Sequence, residues 1–167
     1  MTRELTIREA GLQDAAAVAT LFSEFNEILG ADGLPETEAF LRQNVLMSPA
    51  QMARRLKEMA TVETAFIAAV NGEPAGLACL RLVPYIGQDA PYAELTQLYV
   101  RQHFQRQGVG AALIRQVEHQ AVEAGATCVH IITGRDNKDA QAFYRAQGYS
   151  MPGVELEKHF VREVIHA

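Results

Sequence analysis

The stretch YVRQHFQRQGVGAALIRQVEHQAVEAG, Tyr99 to Gly125, constrains this chain more than any other. It passes from the end of an apolar strand into a helix across Gln105, Gly108 and Gly110, and stops the helix at Gly125. Ser, Thr, Asp or Asn normally lead at a helix start, so bare backbone there needs a reason. The first turn of a helix carries unsatisfied backbone N–H groups and the positive end of the dipole, which suits an anion. Two readings follow. The glycines either admit a phosphate or pyrophosphate, with Gln105, Arg106 and Gln107 as rim donors, or they allow a tight turn and close helix–sheet packing. The apolar run TCVHII at 127–132 comes next, so the unit reads as strand, helix and parallel strand.

The flanking chain supplies more elements of both kinds. LTIREA at 5–10 alternates like a half-buried strand. A helix is predicted over Asp14–Leu29, capped by Asp14, with Val18, Leu21, Phe22, Phe25, Ile28 and Leu29 as its apolar stripe. A second helical region covers 36–60, interrupted at Ser48-Pro49 and restarted with Ser48 as cap and proline at the first position. TAFIAAVNGEPAGLACLRLV reads as a hairpin turning at Asn71-Gly72, and AELTQLYV at 93–100 as the strand entering the glycine stretch. The helix of that stretch spans about 110–124 and buries Leu113, Ile114, Val117 and Ala121. A short helix over 137–147 stops at Gly148, and GVELEKHFV offers a last strand. With no repeats or linkers, residues 1–167 read as one mixed α/β domain.

The net charge of -5 argues against general binding to nucleic acid or anionic membrane. No apolar run is long enough to span a bilayer, and the charged N-terminus is unlike a signal peptide, so a soluble cytoplasmic protein is expected. Cys79 and Cys128 lie apart within apolar runs and read as buried reduced thiols; with the five histidines they show no metal-ligand spacing. No metal site is expected.

A nucleoside triphosphate loop requires GxxxxGK[ST], which is absent. A dinucleotide fingerprint requires a third small residue where Leu113 stands. QRQGVG instead matches the Q/R-x-x-G-x-G/A signature of the GNAT superfamily of acetyl-CoA-dependent N-acetyltransferases. NKDAQAFYRAQGY resembles that superfamily's N-x-x-A-x-x-x-Y-x-x-x-G-[FY] segment. The two occur in the family's order, and the element order upstream, from Leu5 to Val100, is similar too.

The resemblance implies a GNAT-like α/β (α+β) fold: a mixed, mostly antiparallel sheet with a splayed parallel pair of strands and helices on both faces. It implies acetyl-CoA as cosubstrate, its pantetheine arm along the strand segment Leu98, Tyr99 and Val100 and its pyrophosphate on Gln105, Arg106, Gln107, Gly108, Val109, Gly110 and Ala111. Asn137 matches a family residue on the cofactor side, though its type also suits helix capping. Tyr144 matches the proposed general acid for the departing thiolate and is counted at the cofactor too; an aromatic on a buried helix face is the alternative. Glu94 occupies a strand position where one branch of the family carries a base, and water chains serve in others. Thr96 and Gln97 line the same cleft, and a backbone N–H near Leu98 serves the oxyanion. With no histidine partner for either cysteine, direct transfer to the amine is expected.

The acceptor implied is a primary amine of a small molecule or peptide. Five acids at 24–38 (Glu24, Glu27, Asp32, Glu36 and Glu38), with no lysine or arginine among them, would attract a cationic one, such as a polyamine or aminoglycoside. Tyr85, Asp89 and Tyr92 are candidate rim residues. Gln105 and Gln107 stand where relatives are often basic, leaving Arg106, with Arg101 or Arg135, to meet phosphate. The short end after Gly148 leaves part of the acceptor site to a partner subunit in a homodimer. A catalytically idle acyl-CoA-binding regulatory module is the competing reading.

Overall fold

The computed structural model describes residues 3–30 and 47–150, which divide into two compact units, the chain passing from the first to the second after Ile131. The first is built on a five-stranded sheet in the order β1 (Leu5–Glu9), β2 (Glu63–Val70), β3 (Glu73–Val83), β4 (Tyr92–Val100), β5 (Val129–Ile131). The first four strands pair antiparallel and β4 pairs parallel with β5. The predicted hairpin is present: Asn71 and Gly72 both have positive φ, as a two-residue turn between right-twisted strands requires.

β3 is buried without a break from Ala75 to Leu80, so both faces of the sheet need cover. Helix α1 (Ala15–Gly30) packs Leu21 on Ile67, Leu77, Cys79 and Tyr99. Side-chain alternation turns Phe66, Ala68, Ala78 and Leu80, all buried, to the opposite face. There α3 (Val109–Glu123) lies against β1 to β4, burying Val109, Leu113, Ile114, Val117 and Ala121. Helix α2 (Pro49–Met59) packs on α1, with Met52 beside Ala15, Val18 and Ala19. Its start follows expectation: Gln51 N–H donates to the Ser48 hydroxyl, Ser48 N–H donates to the Gln51 side chain, and Pro49 follows the cap.

Four expectations need correction. Asp14 is not the cap of α1; a 3₁₀ turn over Leu12–Asp14 precedes the helix, and the Asp14 carboxylate accepts from Gly11 N–H and from Arg8. Ile28, predicted on the apolar stripe of α1, is exposed. β5 is three residues long rather than six, since its pairing with β4 covers only Ala93–Leu95. Cys128 precedes that shortened strand and is exposed, whereas Cys79 is buried as expected. The side chain of Leu29, the predicted helix at 36–46 and the predicted strand GVELEKHFV lie outside the described residues.

The second unit, from Ile132, contains α4 (Lys138–Ala146). Asn137 Oδ1 accepts the Ala140 N–H at 3.0 Å as its cap, and Gly148 with φ 92° ends the turn that follows. Gln141 is buried and donates to the carbonyls of Gly134 and Arg135, fixing the loop before the helix.

Candidate active site

The centre of β4 carries one residue too many for its partner. Gln97 lies opposite Cys79 and Leu95 opposite Leu80, so Thr96 is an extra residue, a β-bulge. On the other side, β5 leaves β4 after Leu95. Among the described residues, therefore, β4 pairs with β3 alone from Thr96 to Val100 and offers a free edge. Which residues point there follows from their neighbours. Arg101 N–H bonds the Ala75 carbonyl at 2.9 Å, and a Cβ on Gly76 would collide with the Tyr99 carbonyl. Tyr99 and Arg101 thus turn their backbone toward β3, and alternation turns that of Leu98 and Val100 to the free edge.

The Tyr99 side chain faces inward. It lies buried under α1, its ring 6.1 Å from that of Phe25, and its hydroxyl donates to Glu24 at 3.1 Å. Burial and the neighbouring Glu24 carboxylate push that hydroxyl up to about 12. Glu24 and Arg101 also have inward roles. The Arg101 guanidinium donates to both Glu24 oxygens at 2.9 Å and to the Pro74 carbonyl at 2.8 Å. The two residues, expected at the acceptor and the phosphate, are thus paired with each other. Asp32, Glu36 and Glu38 lie outside the described residues.

Beyond β4 a 3₁₀ turn (Gln102–Phe104) leads into the glycine loop. Arg106 and Gly108 both adopt left-handed backbone, φ 58° and 82°, curling the chain just ahead of α3. Gly108 is the N-cap and brings no side-chain cap. The first bond of the helix runs from Ala112 N–H to the Gly108 carbonyl at 3.0 Å, leaving Val109, Gly110 and Ala111 N–H without intrahelical acceptors. Successive amides on left-handed backbone at a helix start form a concave anion site. These residues therefore fit a bound pyrophosphate, through backbone rather than side chains; the Val109 side chain itself is core.

The two glutamines have structural partners. Gln105 Nε2 donates to the Val100 carbonyl at 2.9 Å, tying the loop to the free strand edge, and Gln107 Nε2 donates to the His103 carbonyl at 2.7 Å. A cation the sequence did not point to stands here: Arg3 donates to the Gln107 carbonyl at 2.8 Å. A lone N-terminal arginine carries no pattern that would place it beside a loop 104 residues away.

Glu94 sits on β4 with its side chain 23% exposed. Arg81 donates to one carboxylate oxygen from two nitrogens, and the Tyr92 hydroxyl donates to the other at 3.1 Å. Tyr92 stacks against His130 with ring centroids 4.7 Å apart and meets Tyr85 edge-on at 5.8 Å. Arg81 is the cross-strand neighbour of Glu94 on β3, and Glu63 that of Arg81 on β2, so two carboxylates flank one guanidinium. The Thr96 hydroxyl donates to Glu63.

On the face covered by α1 and α2 a cavity of about 260 Å³ reaches the sheet at Glu63, Ala65, Cys79 and Gln97. Gln97 was expected at the cleft; Glu63 was not, because only strand pairing brings the first residue of β2 near the middle of β4. Burial, then the charge of Glu63, push the Cys79 thiol up, so it stays protonated and is a poor nucleophile.

In the second unit, burial pushes the Tyr144 hydroxyl up to about 12. Its ring meets those of Phe143 and Tyr149 at 5.4 and 6.0 Å. Asn137 spends its carboxamide oxygen on the helix cap. Among the described residues no helix is long and apolar enough to cross a membrane, and no group of His, Cys, Asp and Glu could hold a metal.

Comparison with known proteins agrees with this geometry. The Acetyltransferase (GNAT) family matches residues 33–149. The chain is 31% identical over 149 residues to the uncharacterized N-acetyltransferase YhfO of Bacillus subtilis, covering 87% of this chain and 89% of that protein. Among solved structures it resembles an aminoglycoside acetyltransferase, meta-AAC0020, from an uncultured soil metagenomic sample (TM-score 0.70, 19% identity, 95% of this chain and 97% of that one). It also resembles the ribosomal-protein-alanine N-acetyltransferase of Brucella melitensis (TM-score 0.68, 17% identity, 94% and 99%). At such identities the likeness is one of fold. The mixed sheet, the parting of β4 from β5, the family match and the relative in Bacillus subtilis agree: the chain belongs to the GNAT family of acetyltransferases.

Proposed function

We propose that the protein, acting as one acetyltransferase domain, moves an acetyl group from acetyl-CoA directly onto a primary amine. One observation carries this reading: the uncapped N–H groups of Val109, Gly110 and Ala111 follow a left-handed loop directly beyond the free edge of β4. Such a strand edge accepts an extended amide-bearing chain as an added strand, and the helix start accepts its phosphates. Leu98 presents both backbone groups to that chain; Val100 presents its N–H, its carbonyl being held by Gln105. Arg3 and Arg106 bring positive charge to the loop.

Bound there, acetyl-CoA supplies an activated acyl carbon, to which the amine nitrogen bonds while the C–S bond breaks and the electron pair leaves on sulfur. Leu98 N–H stabilises the charge that gathers on the carbonyl oxygen. Tyr144 holds its proton at neutral pH, as its burial supports, and gives it to the departing sulfur. Glu94, directly or through water, takes the proton the amine loses, and an equivalent proton returns to Tyr144 from solvent. Asn137 contributes its amide N–H₂ on the cofactor side.

Tyr144→Phe tests the assignment. Thiol release from acetyl-CoA should fall about a hundredfold, the low end for losing a general acid, with coenzyme A binding by calorimetry unchanged. Unchanged turnover would remove Tyr144 from the mechanism. Binding of coenzyme A with no turnover on any amine of a broad panel would instead favour an idle acyl-CoA-binding module.

A further inference from the structure

The cavity under α1 and α2 is unevenly lined, and the unevenness is informative. Its α-helical wall is mostly apolar, with Phe22 from α1 and Met52, Leu56 and Met59 from α2, and it also carries Ser23, Asn26 and Arg55. Its sheet floor carries two hydrogen-bond acceptors, the Glu63 carboxylate and the Gln97 carboxamide oxygen. Gln97 Oε1 is fully buried and has no hydrogen-bond partner. A buried acceptor left unpaired costs about 1–3 kcal/mol, so a site that keeps one is arranged for a donor from outside. Glu63 and Gln97 point to the same space. Ala65, two residues along β2 from Glu63, pairs with Cys79 on β3, and Cys79 pairs with Gln97 on β4.

The Glu63 carboxylate beside a neutral acceptor suits an ammonium group, its cross-strand neighbour Arg81 being held by Glu94. The apolar wall suits an uncharged body. At about 260 Å³ the cavity falls just under the range of drug-sized sites, so the ligand is compact. A second ammonium on the same molecule would lie against methionine, leucine and phenylalanine side chains and the Arg55 guanidinium, with no described acid on that wall to pair it. Glu24 of α1 is already bound by Arg101 and Tyr99.

We propose that the acceptor is a compact monoamine with an apolar or aromatic body, its ammonium received by Glu63 and Gln97 and its body held between α1 and α2. This rests on the acetyltransferase reading, and it replaces the polyamine or aminoglycoside suggested by the acid-rich segment. It fits the chemistry required, because Gln97 directly precedes Leu98, whose backbone faces the free edge of β4. Nitrogen received at Gln97 therefore enters beside the strand segment assigned to the acyl group. Glu63 and Gln97 are binding and positioning residues here.

The test uses the full chain with acetyl-CoA and two probes, phenethylamine and spermidine, followed by thiol release, with coenzyme A binding measured separately by calorimetry. The expected result is a kcat/KM for phenethylamine at least tenfold above that for spermidine. Gln97→Leu should raise the phenethylamine KM about tenfold, the equivalent of one hydrogen bond to a charged donor, while leaving the acetyl-CoA KM unchanged and the melting temperature no lower. Glu63→Gln should raise the same amine KM, and phenethyl alcohol, lacking the ammonium, should not compete. Coenzyme A binding with spermidine preferred, with neither probe turned over, or with the amine KM unmoved in both variants overturns the acceptor proposal and leaves the donor reading standing. Absence of coenzyme A binding overturns the donor reading and this proposal with it.

Discussion

The Glu24–Arg101 pair fastens α1 to the end of β4, and removing it should cost more than an ordinary ion pair. Arg101 makes two 2.9 Å bonds to Glu24 and one of 2.8 Å to Pro74, and the two side chains are 18% and 32% exposed. A fully exposed pair is worth about 0–1 kcal/mol. Breaking a fully buried one costs about 3–5 kcal/mol, because the survivor is left charged and unpaired. The observed exposure lies between these limits, and the three good bonds favour the upper part. Arg101→Met should thus destabilise by about 2 kcal/mol, or roughly 4–8 °C in melting temperature for a chain of this size. Glu24→Leu with Arg101→Met should recover part of the loss, since neither charge is then stranded.

Urea unfolding at low and at moderate salt is the assay. The loss should change little with salt, because a pair this enclosed is poorly screened. The acetyl-CoA KM should rise in Arg101→Met, since Val100 at the free edge directly precedes the anchored residue. A loss under about 0.5 kcal/mol, or one that vanishes with salt, would show the pair behaving as an exposed one and refute the reasoning.

Two further perturbations address the loop and the entry to α1. Gly108→Ala meets no atom within 4 Å, so its cost is conformational: about 1–2 kcal/mol for a left-handed residue. The added methyl at the uncapped helix start should also weaken coenzyme A binding about tenfold by calorimetry; unchanged binding would move the anion elsewhere. Asp14→Asn should flatten the acid side of the stability profile. The Arg8 guanidinium, followed by the Gly11 N–H, holds the Asp14 carboxyl below its ordinary 3.8 against the opposing effect of burial. A lowered folded value means the contribution is complete above the ordinary value and disappears as pH falls through the folded one. Unfolding curves of parent and variant should therefore diverge at neutral pH, by about 1–2 kcal/mol, and converge in acid.

Much of the fold was legible because local rules and tertiary packing agree. Asn71-Gly72, Ser48-Pro49 and the α3 positions Leu113, Ile114, Val117 and Ala121 each read correctly, since turn chemistry, capping and helical periodicity act within a few residues. Misreadings fell where a partner distant in sequence intervened. Asp14 looks like a helix cap until Arg8 claims it. Ile28 fits the periodicity, yet it is exposed. The place of the Tyr99 side chain under α1 was likewise set by strand register and alternation, which no local pattern carries.

The sequence by itself determined the strand–loop–helix unit, the glycines that leave α3 uncapped and the motif pair that marks the family, because these are short-range patterns. Only the tertiary structure decided the bulge at Thr96, the parting of β5 from β4 after Leu95 and the diversion of Glu24 and Arg101 into an internal clamp. It alone brought Glu63 and an unpartnered Gln97 oxygen to one cavity floor. Register between strands far apart in the chain depends on how every side chain on both sheet faces packs, and no local pattern carries that information.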